Sequence, residues 1–371
     1  MNKTYTAISF GNYETKILIC NNINGTLYPI YKTSFLTSDC LQDSIIVDED
    51  LLIKILEKEI TKIPLDISST KIILNVPLKN LEIVSRKSHD LNISKNNTVE
   101  EIKNLMEMTF KNVSNNKYQL DKQVVYWKVN GEEVKNINEQ SNLEKVSWKI
   151  NAYYTSVNEI QKYHDILNHF KCFPFITTCD SLVMNKLFKN KERKFKILVN
   201  IGHLKSSIDR YENEVLVDQK SYDFGIRHLT SEISKLASCD EKKSIEILKI
   251  YKDIVSINDN LALMNYFKEK YLQYDQVTIK EINKLISTWI IQLTSLMNMY
   301  MLEKTIDILG VDEIYFYSSM NILDAWYSKI RSLLDKRAEI HSIDFDVFSI
   351  TESKYSSLVA SILHAIEKDN K

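Results

Sequence analysis

Two short segments carry residues that could bind a phosphate chain, and they share one pattern. Each has an apolar run, then a glycine among amide, hydroxyl or basic residues, then a second apolar run. They are residues 8–19 around Gly11 and residues 197–208 around Gly202. Glycine fits turns that other residues adopt poorly, so each segment predicts a strand, a tight turn and a strand. Two such turns facing one cleft would offer main-chain amides to phosphate oxygens.

Glycine is rare in this chain, which makes each glycine informative. The 371 residues include only 6, whereas the usual share is about 7%. We therefore expect the retained glycines at positions that no other residue fits. Gly225 precedes a helix-like segment, residues 227–237, and Gly310 ends a long helix just before the strand-like residues 313–317.

Side chains of the two turns add further candidate ligands. Asn12 and Ser206 suit hydrogen bonds to phosphate, although both are also common in turns for their own geometry. Lys16 and Lys205 could supply positive charge, but strand alternation predicts that Lys16 points to solvent. His203 either reaches the cleft or lies exposed in its turn. The candidate phosphate-binding residues are Ser9, Gly11, Asn12 and Tyr13 in the first turn, and Asn200, Gly202, His203, Lys205 and Ser206 in the second.

The two segments resemble the phosphate hairpins of the actin-like ATPase superfamily and, within it, of the bacterial cell-division FtsA family. Residues 222–229 are similar to the segment that follows the second hairpin, and residues 312–321 occupy the place of the adenosine motif. Residues 81–152 are placed and patterned like the subdomain inserted in FtsA proteins. The resemblance implies an α/β, actin-like (ribonuclease H-like) two-domain fold with an FtsA-type inserted α+β subdomain.

The sequence departs from this family where the family keeps acids and glycines. Ser9 stands where the first hairpin normally has an Asp that holds a metal through water, and Asn200 replaces the Asp of the second. Ser318, Ser319 and Met320 replace the glycine cluster of the adenosine motif. The resemblance implies ATP or ADP, with Mg, as the ligand. The departures predict weak metal binding and a crowded adenine site, and we assign no metal ligands.

Three further residues are candidates through the same resemblance. Asp180 lies in the connection between the domains, where the superfamily often keeps an acid or amide that orients the attacking water. A carboxylate in such a connection is also common as a solvated group or helix cap. Glu246 and Lys249 match residues that contact ribose and adenine. Their spacing equally describes an ordinary pair on the surface of a helix.

The order of predicted elements divides the chain into four parts. The first domain comprises residues 1–82, 153–192 and 341–371, the insert residues 83–152, the second domain residues 193–228 and 278–340, and a helical subdomain residues 229–277. Helices are predicted at residues 48–63, 98–111, 156–170 and 278–309 from their apolar spacing. We expect the insert to protrude from the first domain, so that its deletion leaves the two-domain core folded.

Composition limits the classes of function. The 48 basic and 49 acidic residues give a net charge of −1, which argues against a nucleic-acid-binding surface. Cysteines 20, 40, 172, 179 and 239 are odd in number and widely spaced, as in a reduced cytosolic protein without a cysteine metal site. No signal peptide or long membrane-spanning apolar run is recognised. The helix predicted at residues 353–367 has one apolar face and few flanking cations, which favours core packing over a membrane anchor.

The resemblance implies a cytoplasmic scaffold at the inner face of the cell membrane or division site. Such a protein would bind the C-terminal peptide of the tubulin-like FtsZ, polymerise head to tail, and reach the membrane or divisome either directly or through a partner. Nucleotide would bias domain closure, with ATPase activity weak at most. Two alternatives share the fold: a type IV pilus adaptor resembling PilM, which would bind a short inner-membrane peptide, and a small-molecule kinase.

Overall fold

The computed structural model describes most of both domains. The described residues are 3–93, 98–108, 116–134, 136–140, 142–189, 194–254, 278–304, 311–318, 326, 330, 339–343 and 352–370. Three predicted features lie outside these ranges. They are Gly310, the end of the long helix predicted to reach residue 309, and residues 255–277 of the helical subdomain.

In chain order the strands are β1 (Lys3–Ser9), β2 (Glu14–Ile23), β3 (Thr26–Leu36), β4 (Leu41–Gln42), β5 (Ile45–Ile46), β6 (Lys71–Asn75), β7 (Glu82–Lys87), β8 (Leu91–Asn92), β9 (Lys117–Val129), β10 (Glu132–Val134), β11 (Lys145–Ser156), β12 (Pro174–Thr178), β13 (Phe195–Ile201), β14 (Ser206–Glu212), β15 (Val215–Tyr222), β16 (Glu313–Ser318) and β17 (Glu339–Ser342). The α-helices are α1 (Glu49–Ile60), α2 (Val99–Met108), α3 (Val157–His169), α4 (Asp180–Val183), α5 (Ile226–Ala237), α6 (Glu241–Ile254), α7 (Ile279–Glu303) and α8 (Ser356–Asp369).

Two five-stranded sheets of identical topology form the frame. The first has the order β12-β6-β1-β2-β3 and the second β15-β14-β13-β16-β17. In each sheet the first three strands along the chain are antiparallel, and the last two run parallel to the first. The two-domain α/β architecture predicted from the paired glycine segments is therefore confirmed.

Both sheets are covered on both faces, because their strands alternate apolar side chains between two layers. In β1, Ile8 joins the cluster under α1 and α3, whereas Ala7 faces the central layer that contains α8. In β13, Val199 packs towards α5 and α7, whereas Leu198 faces the same central layer. The central layer thus joins the two domains through one apolar cluster.

The C-terminal helix α8 lies inside this central layer, against β1 and β6. Its residues Leu358, Val359, Ile362 and Ala365 are fully buried. The prediction of core packing for this helix is confirmed.

Helix α7 is the one helix among the described residues that is long and apolar enough to cross a membrane, because an 18-residue window within Lys280–Glu303 has a mean hydropathy of 1.2. Its buried residues, among them Ile282, Trp289 and Ile290, belong to the core of the second domain. This packing is that of a core helix in a globular domain.

The insert is a sheet of order β10-β9-β11-β7, with β8 pairing to β11 and α2 packed on one face. Two predicted local signals are present. The Asn130-Gly131 turn has positive φ at both residues, 52° and 91°, and joins β9 to β10. Thr98 and Glu101 form the expected reciprocal cap at the start of α2. An α+β module is therefore observed, while its FtsA-type identity stays a prediction.

The insert does not protrude freely, contrary to our prediction. Its residue Val125 belongs to the central apolar cluster, together with Leu198 and Tyr211 of the second domain, and Tyr126 packs against that cluster. The side-chain amide of Asn213, in the β14–β15 turn, also donates to the carbonyl oxygen of Val125 at 3.2 Å. Sequence order predicted that an insert is present, but not which surface it would cover.

Candidate functional site

A polar cavity of about 170 Å³ lies between the two domains where their glycine turns meet. The first turn, residues 10–13 between β1 and β2, forms one wall, and the second turn, residues 202–205 between β13 and β14, forms the opposite wall. All nine candidate turn residues line the cavity, and so does Asp180 at the start of α4. The structure thus brings together residues that the sequence separates widely.

Strand register explains why polar side chains collect here. Ser9, the last residue of β1, is paired with Asn75, the last residue of β6, which is paired in turn with Thr178 of β12. The carboxyl ends of these parallel strands meet at one edge of the sheet, where open α/β sheets bind their ligands. Asp180 follows β12 directly and so lies at the same edge.

The two turns have the same close approach around their glycines. A Cβ on Gly11 would lie 2.7 Å from the carbonyl oxygen of Glu14, and a Cβ on Gly202 would lie 2.7 Å from that of Lys205. Any side chain at either position would therefore require the turn to move. Gly225 has a related role, because a Cβ there would overlap the carbonyl group of His203. At Gly11, Gly202 and Gly225, therefore, a side chain would clash with the main chain, as the scarcity of glycine had indicated.

Lys16 and Asp180 form the charged floor of the cavity. The Lys16 side chain is buried, with its Nζ 3.2 Å from Oε1 of Glu14. Burial lowers the pKa of Lys16, and the nearby charges of Glu14 and Asp180 oppose that shift. The prediction that Lys16 points to solvent is wrong, because both faces of the sheet are covered and alternation directs this side chain to the central layer.

Asp180 is held by amide groups from both domains. Asn75 donates to its Oδ1 at 2.9 Å, and Asn200 donates to its Oδ2 at 3.4 Å. Burial raises the pKa of Asp180, while the bond from Asn75 and the charge of Lys16 act in the opposite direction. The Asp180 carboxylate therefore links the ends of the two parallel-strand systems across the cleft.

Several candidate phosphate ligands already bind their own chain. The side-chain oxygen of Asn12 accepts from the amide of Ser44 at 2.8 Å, and the hydroxyl of Ser206 donates to the carbonyl oxygen of Phe224 at 2.6 Å. Lys205 lies 2.5 Å from Asp43 and 3.3 Å from Asp223. Burial acts to lower the pKa of Lys205, but the bonds to these two carboxylates dominate and raise it.

Tyr13 and His203 meet across the mouth of the cleft. Their ring centroids are 4.9 Å apart, with the ring planes inclined by 37°. His203 is buried, and its Nε2 lies 3.2 Å from Oε1 of Glu241 at the start of α6. Burial lowers the pKa of His203, opposed by the charge of Glu241. The alternative that placed His203 in the cleft is therefore the one observed.

The predicted adenosine contacts lie at the edge of this arrangement. Glu246 and Lys249 are exposed on α6. Ser318 is buried at the end of β16, where it pairs with Ile201 of β13. Ser319 and Met320 lie outside the described residues.

Sequence reasoning missed Asn75, Glu14 and Ser357, all of which line the cavity. Asn75 was detectable in principle, because it is the polar residue that ends a buried strand just before Val76 and Pro77. Ser357, in the first turn of α8, gave no such signal, since only the packing of α8 between the sheets brings it to the cleft.

A second buried carboxylate lies deeper between the domains. Asp209 of β14 is fully buried, and burial raises its pKa to about 6. The polar side chains of Ser181, Ser207 and Gln219 oppose this shift. These three residues also line the cavity, so its polar character extends from the turns to the surroundings of Asp209.

Away from the cleft, Glu313, Glu339 and His341 place their ligand atoms within 4.8 Å of one another. These groups already interact, since His341 Nε2 lies 3.6 Å from Glu313 and 3.5 Å from Glu339. The hydroxyl of Tyr315 also donates to Glu313 at 3.0 Å. This group is best described as a small ion-pair network on β16 and β17.

No protein-family model and no curated protein matches the sequence. Solved structures match its fold over nearly the whole chain. A PilM–PilN type IV pilus biogenesis complex matches with a TM-score of 0.64 at 9% identity, covering 98% of each chain. The ethanolamine utilization protein EutJ from Carboxydothermus hydrogenoformans gives 0.53 at 9% identity, covering 95% of this chain and 89% of that one. MreB 5 of Spiroplasma citri bound to AMPPNP gives 0.50 at 9% identity, with coverage of 99% and 98%.

These similarities agree with the topology of the two sheets and with the paired glycine turns at their shared cleft. At such low identity they establish the fold and leave the FtsA resemblance as a prediction. The chain therefore has the actin-like ATPase fold.

Proposed function

We propose that this chain is an actin-like scaffold or adaptor, which works by binding protein partners and by self-association. Nucleotide, where it binds, regulates the relation between the two domains and is turned over slowly or not at all. In its FtsA-like form the proposal includes the FtsZ C-terminal peptide as partner, a head-to-tail filament, and a location at the inner face of the cell membrane. Nucleic acid is not among the proposed partners.

The observation that carries this proposal is the charge pairing inside the cleft. Lys16 faces Glu14 and Asp180, and Lys205 faces Asp43 and Asp223. A triphosphate would have to compete with these carboxylates for each cation. Catalysis of phosphoryl transfer depends on cations aimed at the developing charge, and neither lysine is held for that task.

The turns fit a nucleotide better than they fit a metal. Gly11 and Gly202 keep both turns tight, so that the residues that would hold the phosphates are those of the two turns, with Lys16 below them. Magnesium prefers carboxylate and water oxygens. The positions that would hold it through water are Ser9 and Asn200, and the two lining carboxylates, Glu14 and Asp180, face Lys16. These residues do not fit a tightly held magnesium ion.

Titration with ATP and ADP, with and without magnesium, tests the nucleotide part of the proposal. We expect weak binding, little dependence on magnesium and slow or absent phosphate release. Micromolar, magnesium-dependent affinity with steady phosphate release would contradict it. Phosphate transfer to a small-molecule acceptor would favour the kinase alternative, with Asp180 as the candidate base.

The PilM-like alternative gains support from the match to the PilM–PilN complex over 98% of both chains. It would make the partner a peptide of an inner-membrane protein in place of FtsZ. Fluorescence anisotropy with labelled FtsZ C-terminal peptide and with a labelled PilN peptide separates the two forms. Sedimentation and electron microscopy on lipid test self-association. A chain that binds neither peptide and never assembles would contradict the scaffold proposal.

A further inference from the structure

The side chain of Tyr13 crosses from the first domain to the second. The main chain of its turn is fixed from behind, because the amide of Thr37 donates to the Tyr13 carbonyl oxygen at 2.9 Å and the Thr37 hydroxyl donates to that of Gly11 at 3.0 Å. With the turn anchored in this way, the Tyr13 ring packs against the core cluster of the second domain. Tyr13 therefore has its main chain in the first domain, while its side chain packs against the core of the second domain.

The contact surface for this ring is firmly held. The ring of His203 lies 4.9 Å away between centroids. His203 is itself fixed by two helices, since the amide of Arg227 in α5 donates to its carbonyl oxygen at 2.8 Å and Glu241 of α6 lies 3.2 Å from its Nε2. Such a partner leaves little freedom to accommodate a displaced Tyr13 ring.

The position of the ring also relates it to the predicted adenosine contacts. Burial raises the pKa of the Tyr13 phenol, and the charges of Glu14, Glu241 and Glu246 add to the shift. The Tyr13 ring contacts His203, whose Nε2 lies 3.2 Å from Glu241, so Tyr13 is near the start of α6. Tyr13 also lines the cavity between the two turns.

We propose that Tyr13 is an interdomain latch, which holds the cleft closed without nucleotide and must leave His203 before the sugar and base of a nucleotide reach α6. This inference rests on the proposed regulatory role of nucleotide. The contact between Tyr13 and His203 and a bound nucleotide would then each favour a closed cleft. They could not be present at the same time. The chain would be able to keep its closed form without a bound nucleotide.

The expected magnitude follows from the strength of one aromatic contact. Such pairs contribute about 0.5–1.5 kcal/mol beyond area burial. A ligand that binds only the unlatched form loses affinity in proportion to the latched fraction. Removal of the ring should thus tighten nucleotide binding by about threefold to tenfold.

The test compares Tyr13→Ala with Tyr13→Phe, which keeps the ring, and with Tyr28→Ala, a control at a tyrosine that is 52% exposed on β3. ADP affinity is measured by calorimetry, and hydrogen exchange of residues 202–206 is measured without nucleotide. We expect tighter ADP binding and faster exchange in Tyr13→Ala alone. Exchange is informative even if this variant is less stable, because the Tyr28→Ala control and the rest of the chain report global loss of structure.

Equal or weaker ADP binding by Tyr13→Ala, or unchanged exchange at residues 202–206, would overturn the latch. Faster local exchange in Tyr13→Ala, with no ADP binding by any variant, would support the interdomain contact of Tyr13. It would contradict the proposed competition between Tyr13 and nucleotide. The scaffold proposal is tested separately by peptide binding and assembly, so its failure would be seen in the unaltered chain.

Discussion

The hydroxyl of Tyr153, near the end of β11, donates a hydrogen bond to the main-chain carbonyl oxygen of Leu216, in the second domain, at 2.7 Å. The side-chain amide of Asn151 donates to the same oxygen at 2.9 Å. One carbonyl group of β15 thus receives two bonds from β11, the strand that leads from the insert back into the first domain. This junction joins the strand at the end of the insert directly to the second domain.

Replacing Tyr153 by Phe should weaken this junction by about 1 kcal/mol, the usual net value of a buried hydrogen bond. We expect faster hydrogen exchange in residues 215–222. Tyr154→Phe is the matched control, because the Tyr154 hydroxyl donates to Gln119 within the insert, at 3.3 Å. Equal exchange of β15 in both variants would show that the Tyr153 bond does not couple the insert to the second domain.

Deleting residues 83–152 should now destabilise the whole molecule. The deletion removes Val125 from the central cluster and also removes Asn151, whose side-chain amide donates to the carbonyl oxygen of Leu216 in the second domain. We expect loss of a single cooperative unfolding transition, measured by calorimetry and circular dichroism. A deletion variant that melts at the temperature of the intact chain would restore our original view of the insert as a protrusion.

Gly202→Ala should cost about 1–3 kcal/mol of unfolding free energy, because the new Cβ would lie 2.7 Å from the Lys205 carbonyl oxygen. Gly11→Ala should behave alike, since its turn has the same close approach to Glu14. Gly25→Ala is the control for positive φ alone, with φ of 86° and open space around the glycine. Nucleotide binding is measured on the same variants, and full stability of Gly202→Ala would contradict the tight-turn argument.

Lys16→Met should destabilise the chain by about 3 kcal/mol, because it leaves Glu14 and Asp180 without their buried cation. Adding Asp180→Asn should recover part of this loss, giving a coupling energy of about 0.5–3 kcal/mol. Lys62→Met, at an exposed pair with Glu59, is the control, and its cost should stay below about 1 kcal/mol. Additive effects of Lys16→Met and Asp180→Asn would show that the two charges do not interact.

Asp209→Asn should stabilise the chain at high pH. Burial raises the pKa of Asp209 from 3.8 to about 6, so the folded state holds the proton more tightly than the unfolded state. The stabilising contribution of the protonated form is therefore complete below pH 3.8 and is lost as the pH rises through 6.

The gain from Asp209→Asn should reach about 3 kcal/mol at pH 8 and become small near pH 4. Urea unfolding at both pH values measures it, with Asp90→Asn, at an exposed loop position, as the control. A gain that does not change with pH would mean that Asp209 titrates normally.

Local sequence signals determined the elements and the turns. Glycine scarcity, the apolar runs on either side of Gly11 and Gly202, and the cap of Thr98 and Glu101 act within a few residues, so they can be read without the fold. The repeated strand–turn–strand pattern was enough to predict two similar domains around one cleft, and the nine candidate residues line that cleft.

Only the tertiary structure decided how these parts interact. Lys16 is buried because the central layer, with α8 packed on this sheet, covers the face that we had assigned to solvent. Tyr13 reaches His203, and Tyr153 reaches Leu216, because two sheets and an insert pack on one central layer. Contacts between residues so far apart in the chain depend on which surfaces meet, and a single sequence holds no local signal for that choice.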